Sequence, residues 1–157
     1  MRSLLYALVF ILFFASLAMF AVLAETGRTE TCKPTETDML GPFYKPGAPV
    51  RSAVGKGYIM AGTVKSAGDC SVIKDARIEF WLVNPEGSYD DDHRATVFSD
   101  VKGSYRFESN PPDPYFGRPP HIHIMVSADG HKTLVTQHYP EKGKTRATFD
   151  LVLIPSR

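Results

Sequence analysis

From Tyr58 onward, apolar residues recur at every second position, and turn residues interrupt the pattern at intervals of roughly ten residues. A helix would need a period near 3.6, and no stretch of this region shows one. The candidate strands are 58–64, 76–83, 95–99, 104–108, 122–127, 133–139 and 147–154. Between them lie Gly68-Asp69, Asn84-Pro85-Glu86-Gly87, Lys102-Gly103, Asp129-Gly130 and Lys142-Gly143, the residue types that tight turns require. Short strands at this spacing predict an all-β fold, an antiparallel β-sandwich of about seven to nine strands over residues 57–157. Residues 25–56 carry Gly41, Pro42, Pro46, Gly47, Pro49 and Gly55 without periodicity. They predict an extended N-terminal arm whose apolar residues Met39, Leu40, Phe43 and Tyr44 pack on the body.

Residues 1–24 read as a secretory signal peptide: Arg2, an apolar run from Leu4 to Leu23 broken only by Ser16, and a small residue at the end. The run is also long enough to serve as an uncleaved membrane anchor. Either way the rest of the chain is expected outside the cytosol, secreted or periplasmic. Of 18 basic side chains only Arg2 falls in this leader, so the remainder balance the 17 acidic ones. An even balance without basic clusters gives no basis for a nucleic-acid partner. Cys32 and Cys70 are the two cysteines, and in an oxidising compartment they predict a disulfide, with two buried thiols as the alternative.

His121 and His123 are two residues apart on a candidate strand. Both imidazoles would then share one face, with Ile122, Ile124 and Val126 on the other. Two nitrogen donors on one rigid strand make half of a metal site, but two polar strand residues facing water would look the same. His93, His131 and His138 are further candidate donors, and His138 lies on a neighbouring candidate strand. Metalloprotease helix, Cys-x-x-Cys, phosphate-loop and nucleophile-elbow motifs are absent from the sequence. Tyr89 and Tyr115 sit beside turn residues, where tyrosine is ordinarily an edge packer.

Several segments occur in a fixed order: Gly-Pro-Phe-Tyr at 41–44, Asp-Ala-Arg-Ile-Glu-Phe-Trp at 75–81, Gly-Ser-Tyr at 87–89 and Ser-Asp-Val-Lys-Gly-Ser-Tyr-Arg-Phe at 99–107. Tyr115, Gly-Arg-Pro-Pro-His-Ile-His at 117–123 and Leu-Val-Thr-Gln-His-Tyr at 134–139 follow. This series resembles the catalytic domain of the intradiol ring-cleavage dioxygenases, the group of catechol 1,2-dioxygenase and protocatechuate 3,4-dioxygenase. The likeness is to the small secreted single-domain branch, without the N-terminal helical region of the bacterial enzymes that act on free catechol. The resemblance implies non-haem Fe(III) bound by Tyr89, Tyr115, His121 and His123. It implies catechol-type diols and O2 as substrates, and cis,cis-muconate-type diacids as products. Tyr115 matches the ligand that departs and takes a substrate proton, Arg118 a group beside the ring, and Gln137 its hydrogen-bonding neighbour. Pro42 and Tyr44 match an arm near the pocket. The segment between Tyr115 and His121 is short beside that of the bacterial protocatechuate enzymes, which implies a more open pocket.

The donor types suit that assignment. Fe(III) is hard and highly charged, and phenolate is a hard anionic oxygen donor. Tyrosine alone keeps its proton to about pH 10, and a bound cation inverts that preference. Two other readings stay open at this point: a non-catalytic exported β-sandwich of the transthyretin-like kind, and a copper or zinc protein using His121, His123 and His138.

Overall fold

The computed structural model describes residues 32–156. The leader and its anchor alternative at 1–24 lie outside the described residues. Among the described residues, eight strands form two four-stranded sheets. They are β1 (Tyr58–Ser66), β2 (Arg77–Trp81), β3 (Arg94–Phe98), β4 (Ser104–Ser109), β5 (Ile122–Ser127), β6 (Leu134–His138), β7 (Arg146–Thr148) and β8 (Leu151–Leu153). One sheet has the order β4-β1-β7, with β8 also on β1, and the other has the order β3-β2-β5-β6.

The period-two pattern assigns each strand an inner and an outer face. Met60 and Val64 of β1, Ile78 and Phe80 of β2, Phe107 of β4, and Ile122, Ile124 and Val126 of β5 are fully buried between the sheets. Phe80 and Phe107 stack across that gap with ring centroids 4.2 Å apart. Each buried side chain of this size contributes about 1.5–3 kcal/mol of transfer free energy, so this layer is the main stabilising element.

The pairing is not antiparallel throughout, because β1 runs parallel to both β7 and β8. The expected single strand at 147–154 is broken in two at Phe149-Asp150, opposite Gly62. A Cβ on Gly62 would lie 2.1 Å from the Phe149 carbonyl oxygen, so only glycine admits the backbone there. Asp150 bridges the break by accepting the Thr63 N–H at 2.9 Å.

The outer face of the second sheet is the one that matters for the site. Register aligns Arg94, Trp81, His123 and Gln137 in one row across its four strands. The described part of the arm lies along this row and supplies backbone partners to it. Glu36 accepts from Thr136 Oγ1, Met39 from Gln137 Nε2, and Lys45 and Pro46 from Arg94, all through their carbonyl oxygens. Thr96 is held by Ala48, Pro49 and Arg51 at the open edge of β3. Residues 52–54 then cross to the edge of β4, where Val54 and Glu108 exchange with backbone groups.

Cys32 and Cys70 form a disulfide that ties the start of the described arm to the turn after β1, across a separation of 38 residues. Closing a loop of that size stabilises the folded chain by about 4 kcal/mol on a chain-entropy basis. Replacing both cysteines by serine is expected to lower the urea unfolding free energy by about 2–4 kcal/mol. An unchanged unfolding midpoint would contradict that role.

Candidate metal centre

β5 positions His123, and the residue just before the strand, His121, projects to the same side. Both are only 2% exposed, so neither is a polar strand residue facing water. The His123 ring lies flat against Trp81, with centroids 4.9 Å apart and planes within 6°. The arm also passes so close that a Cβ on Gly41 would sit 2.8 Å from Cε1. Gly41 also has a φ of +73°, a conformation that costs other residues about 1–2 kcal/mol. Sequence reasoning placed Gly41 in the extended arm and missed its contact with the imidazole.

Tyr89 arrives from the loop between β2 and β3. That loop is closed by Asn84, which accepts the Ser88 N–H and donates to Asp90. The phenol ring stacks on Phe43 of the arm at 4.4 Å, and its hydroxyl oxygen lies 3.2 Å from Nε2 of both His121 and His123. Tyr115 stands edge-on to Tyr89, with ring centroids 5.2 Å apart, and its hydroxyl makes no hydrogen bond among the described residues. Tyr115 and Arg118 are the paired ends of a two-residue turn, in which Phe116 and Gly117 both have positive φ. This hairpin is the short segment noted in the sequence. It leaves the Phe116 ring 91% exposed at the mouth of a cavity of about 370 Å3. Besides the four candidate ligands, Met39, Pro42, Phe43 and Phe116 give the cavity apolar walls, and Arg118 is its one formally charged lining residue.

The protons around Tyr89 cannot satisfy this cluster. Nδ1 of His121 lies 2.8 Å from the Pro119 carbonyl, which fixes the proton there and leaves Nε2 as a bare acceptor. Nδ1 of His123 has no hydrogen bond of ordinary geometry, although the Met39 backbone lies near enough to favour a proton on this ring. If His123 carries its proton on Nε2, Nδ1 is orphaned. If it carries the proton on Nδ1, two bare Nε2 atoms compete for one phenolic hydrogen. Each arrangement strands a buried nitrogen, a cost of about 1–3 kcal/mol that native proteins usually avoid.

A cation would end the competition, because it takes both Nε2 lone pairs and frees the phenolic proton. Donors about 2.1 Å from one ion and at right angles to each other lie about 3.0 Å apart, close to the spacing of the Tyr89 oxygen and the two nitrogens. Two imidazoles and two phenols match a hard, highly charged ion better than a soft one. The electrostatics agree. Burial, helped by the neighbouring His121 and Arg118, pushes His123 down to about 4, so the ring stays neutral and available as a ligand. His121 is lowered for the same first reason. Burial raises the Tyr89 phenol to about 12, with Arg118 opposing and Tyr115 adding to the shift. Tyr89 would therefore surrender its proton only to a cation.

His138 takes no part. It is register-paired with Ile122, which turns it to the inner face of the sheet, and its Nε2 lies 2.7 Å from the Tyr58 hydroxyl. The three-histidine copper or zinc site using His138 is thus corrected by strand alternation, and the described residues hold no cluster of three His, Cys, Asp or Glu side chains. His93 is engaged with Asp90, and His131 with the Asp129 carbonyl. Pro42 lines the cavity. Tyr44 does not; it packs on Trp81 and bonds Glu79 beside a separate cavity of about 120 Å3. Gln137 accepts from Arg118 Nη2 at 2.8 Å. Asp38 and Tyr139, unremarked in the sequence, complete that contact.

The chain is 34% identical over 140 residues to a hydroxyquinol 1,2-dioxygenase of Nocardioides simplex, covering 68% of this chain and 47% of that protein. It is 29% identical over 153 residues to a chlorocatechol 1,2-dioxygenase of Pseudomonas putida, covering 75% and 58%. Among solved structures, the dioxygenase domain of a dioxygenase carbohydrate-binding protein fusion from Streptomyces sp. SirexAA-E superposes with a TM-score of 0.71 at 26% identity. That match takes in 79% of this chain and all of that domain. No family model matches the chain. The chain belongs to the intradiol ring-cleavage dioxygenase family. It spans about half the length of the curated relatives it matches.

The depressed His123 gives the metal-free protein a defined pH response. Below its ordinary value of 6.5 the imidazole of the unfolded chain takes up a proton, while the folded one refuses it down to about pH 4. Stability must therefore fall as the pH drops through that window, by up to about 3 kcal/mol. Urea unfolding of metal-free protein between pH 6.5 and 4 should show this slope, and His123→Gln should flatten it. An equal slope in both proteins would contradict the assignment.

Proposed function

We propose that this protein is a secreted non-haem Fe(III) intradiol dioxygenase. In this reading it cleaves catechol-type diols with O2 between the two ring oxygens, to cis,cis-muconate-type diacids. The observation that carries it is the convergence of the Tyr89 hydroxyl on Nε2 of both His121 and His123, beside Tyr115 and Arg118 at an apolar cavity. Tyr89, Tyr115, His121 and His123 would hold the metal, and the family uses non-haem Fe(III). Bound there, Fe(III) would supply Lewis acidity that favours loss of both diol protons, and the resulting electron-rich ring carbon is the one open to O2.

The chain's own groups account for the remaining steps. Phe43, Met39 and Pro42 bound an apolar slot for a flat ring. The diol must shed two protons to bind through both oxygens. Tyr115, whose hydroxyl has no competing partner among the described residues, would take one of them as its phenolate, and a hydroxide in the cavity would take the other and leave as water. Tyr89 is clamped between Phe43 and the imidazoles and stays. Arg118 presents a fixed positive charge beside the ring, where it stabilises negative charge developing during attack. Gln137 secures it, and is itself secured by the Met39 carbonyl at 2.6 Å. The Cys32–Cys70 disulfide supports the extracellular setting. Lining residues without a second cation support a neutral diol rather than one carrying a ring carboxylate.

Oxygen uptake by the iron-loaded protein with catechol, followed together with the ultraviolet absorbance of the diacid, tests this reading. One O2 should be consumed per ring opened. Tyr115→Phe should lower kcat by roughly 10²-fold or more, with an unchanged circular dichroism spectrum. No uptake by the wild type, or an undiminished Tyr115→Phe variant, would contradict the proposal.

A further inference from the structure

Arg118 ends a tight turn, so its backbone is fixed by reciprocal hydrogen bonds with Tyr115 at 3.2 and 2.9 Å. Its side chain is not fixed by the turn. A long, rotamer-rich arginine must be ordered by partners before it can act as a preorganised charge. Those partners are concentrated on one corner of the guanidinium: Nη2 donates to Gln137 Oε1 at 2.8 Å and to Tyr139 Oη at 2.9 Å. Nη1 and Nε make no hydrogen bond among the described residues, and Arg118 lines the cavity.

Tyr139 has one hydroxyl proton and two acceptors in reach, Asp38 Oδ2 at 2.8 Å and Gln137 Oε1 at 3.1 Å. The shorter contact, to the charged group, takes the proton, which leaves the oxygen lone pairs for Arg118. Asp38 is itself anchored. Its N–H donates to the Val135 carbonyl at 2.9 Å, and its Oδ1 accepts the Met39 N–H at 2.6 Å. Burial raises the Asp38 carboxyl, but the Met39 N–H, the Tyr139 hydroxyl and the Arg118 charge outweigh it and hold the group below its ordinary value. An ionised Asp38 thus sits at the end of a directed chain running from Arg118 through the Tyr139 hydroxyl.

We propose that Asp38 and Tyr139 are positioning residues that lock the Arg118 guanidinium against the arm, so that its unpaired Nη1 and Nε edge serves the ring in the cavity. This rests on the dioxygenase reading for its kinetic consequence, and on the hydrogen-bond geometry alone for its structural one. Tyr139 is 40% exposed, so its hydroxyl can be deleted without opening the core. Gln137 continues to hold Nη2 when Tyr139 is changed, and the arginine loses one of two anchors rather than both.

Two measurements on the full chain test the lock. In metal-free protein labelled with 15N-arginine, the Arg118 guanidinium resonances, assigned by their loss in Arg118→Lys, should show slow rotation about Nε–Cζ. Tyr139→Phe and Asp38→Asn should each speed it. Rotation unchanged in both variants overturns the proposal. In iron-loaded protein turning over catechol, Tyr139→Phe should lower kcat roughly tenfold while KM moves less than about twofold, because the charge acts during attack. In an Arg118→Gln background the same change should cost nothing further. The same tenfold loss in both backgrounds would mark Tyr139 as merely structural and overturn the proposal. A wild-type protein without turnover would contradict the dioxygenase reading instead, and the rotation measurement would still decide the lock.

Discussion

Burying His121 and His123 on the outer face of a β-sheet takes two imidazoles out of water without giving their nitrogens a full set of hydrogen bonds. That face would ordinarily be wet, and a sheet alone cannot dry it. Here three neighbours cover it: Trp81 stacked on His123, the Gly41 backbone against its Cε1, and the Tyr89–Phe43 stack. The result is a place where neutral imidazole is favoured, phenol keeps its proton, and one cation would take up both Nε2 lone pairs. The polar strain and its relief by a metal are two descriptions of one arrangement.

The arm is therefore part of the site rather than an appendage. It carries Gly41, which only glycine can be at that distance, and Phe43, which orients Tyr89. It also carries Met39 and Asp38, which fix Gln137 and, through Tyr139, Arg118. Its course is set by backbone bonds to β3, β4 and β6 and by the Cys32–Cys70 disulfide. Loss of that disulfide would loosen the segment that forms the cavity's roof, so the covalent link bears on function as well as on folding.

Much of this was legible in the sequence, for reasons that can be named. Alternation revealed the strands, because burial of one sheet face leaves a period of two. The same rule put His121 and His123 together and explains why His138, on a neighbouring strand, faces away. Tyr89, Tyr115, Arg118 and Gln137 came from the resemblance, since nothing local distinguishes a loop tyrosine at a site from one that packs an edge. The break at Phe149-Asp150 was hidden because it depends on Gly62, a residue more than eighty positions earlier. The parallel pairings of β7 and β8 likewise leave no local mark. Asp38 and Tyr139 were illegible because a hydrogen-bond chain linking residues far apart in sequence has no spacing to read. Tyr44 lies next to Trp81 and outside the cavity.

The most direct test of the central claim is the visible spectrum of the iron-loaded protein, recorded under nitrogen before and after catechol is added. Two tyrosine ligands on Fe(III) predict a broad phenolate-to-iron band that moves to longer wavelength as catechol binds, and that weakens in Tyr89→Phe. A protein that binds iron without such a band, or whose spectrum is indifferent to catechol, would contradict it.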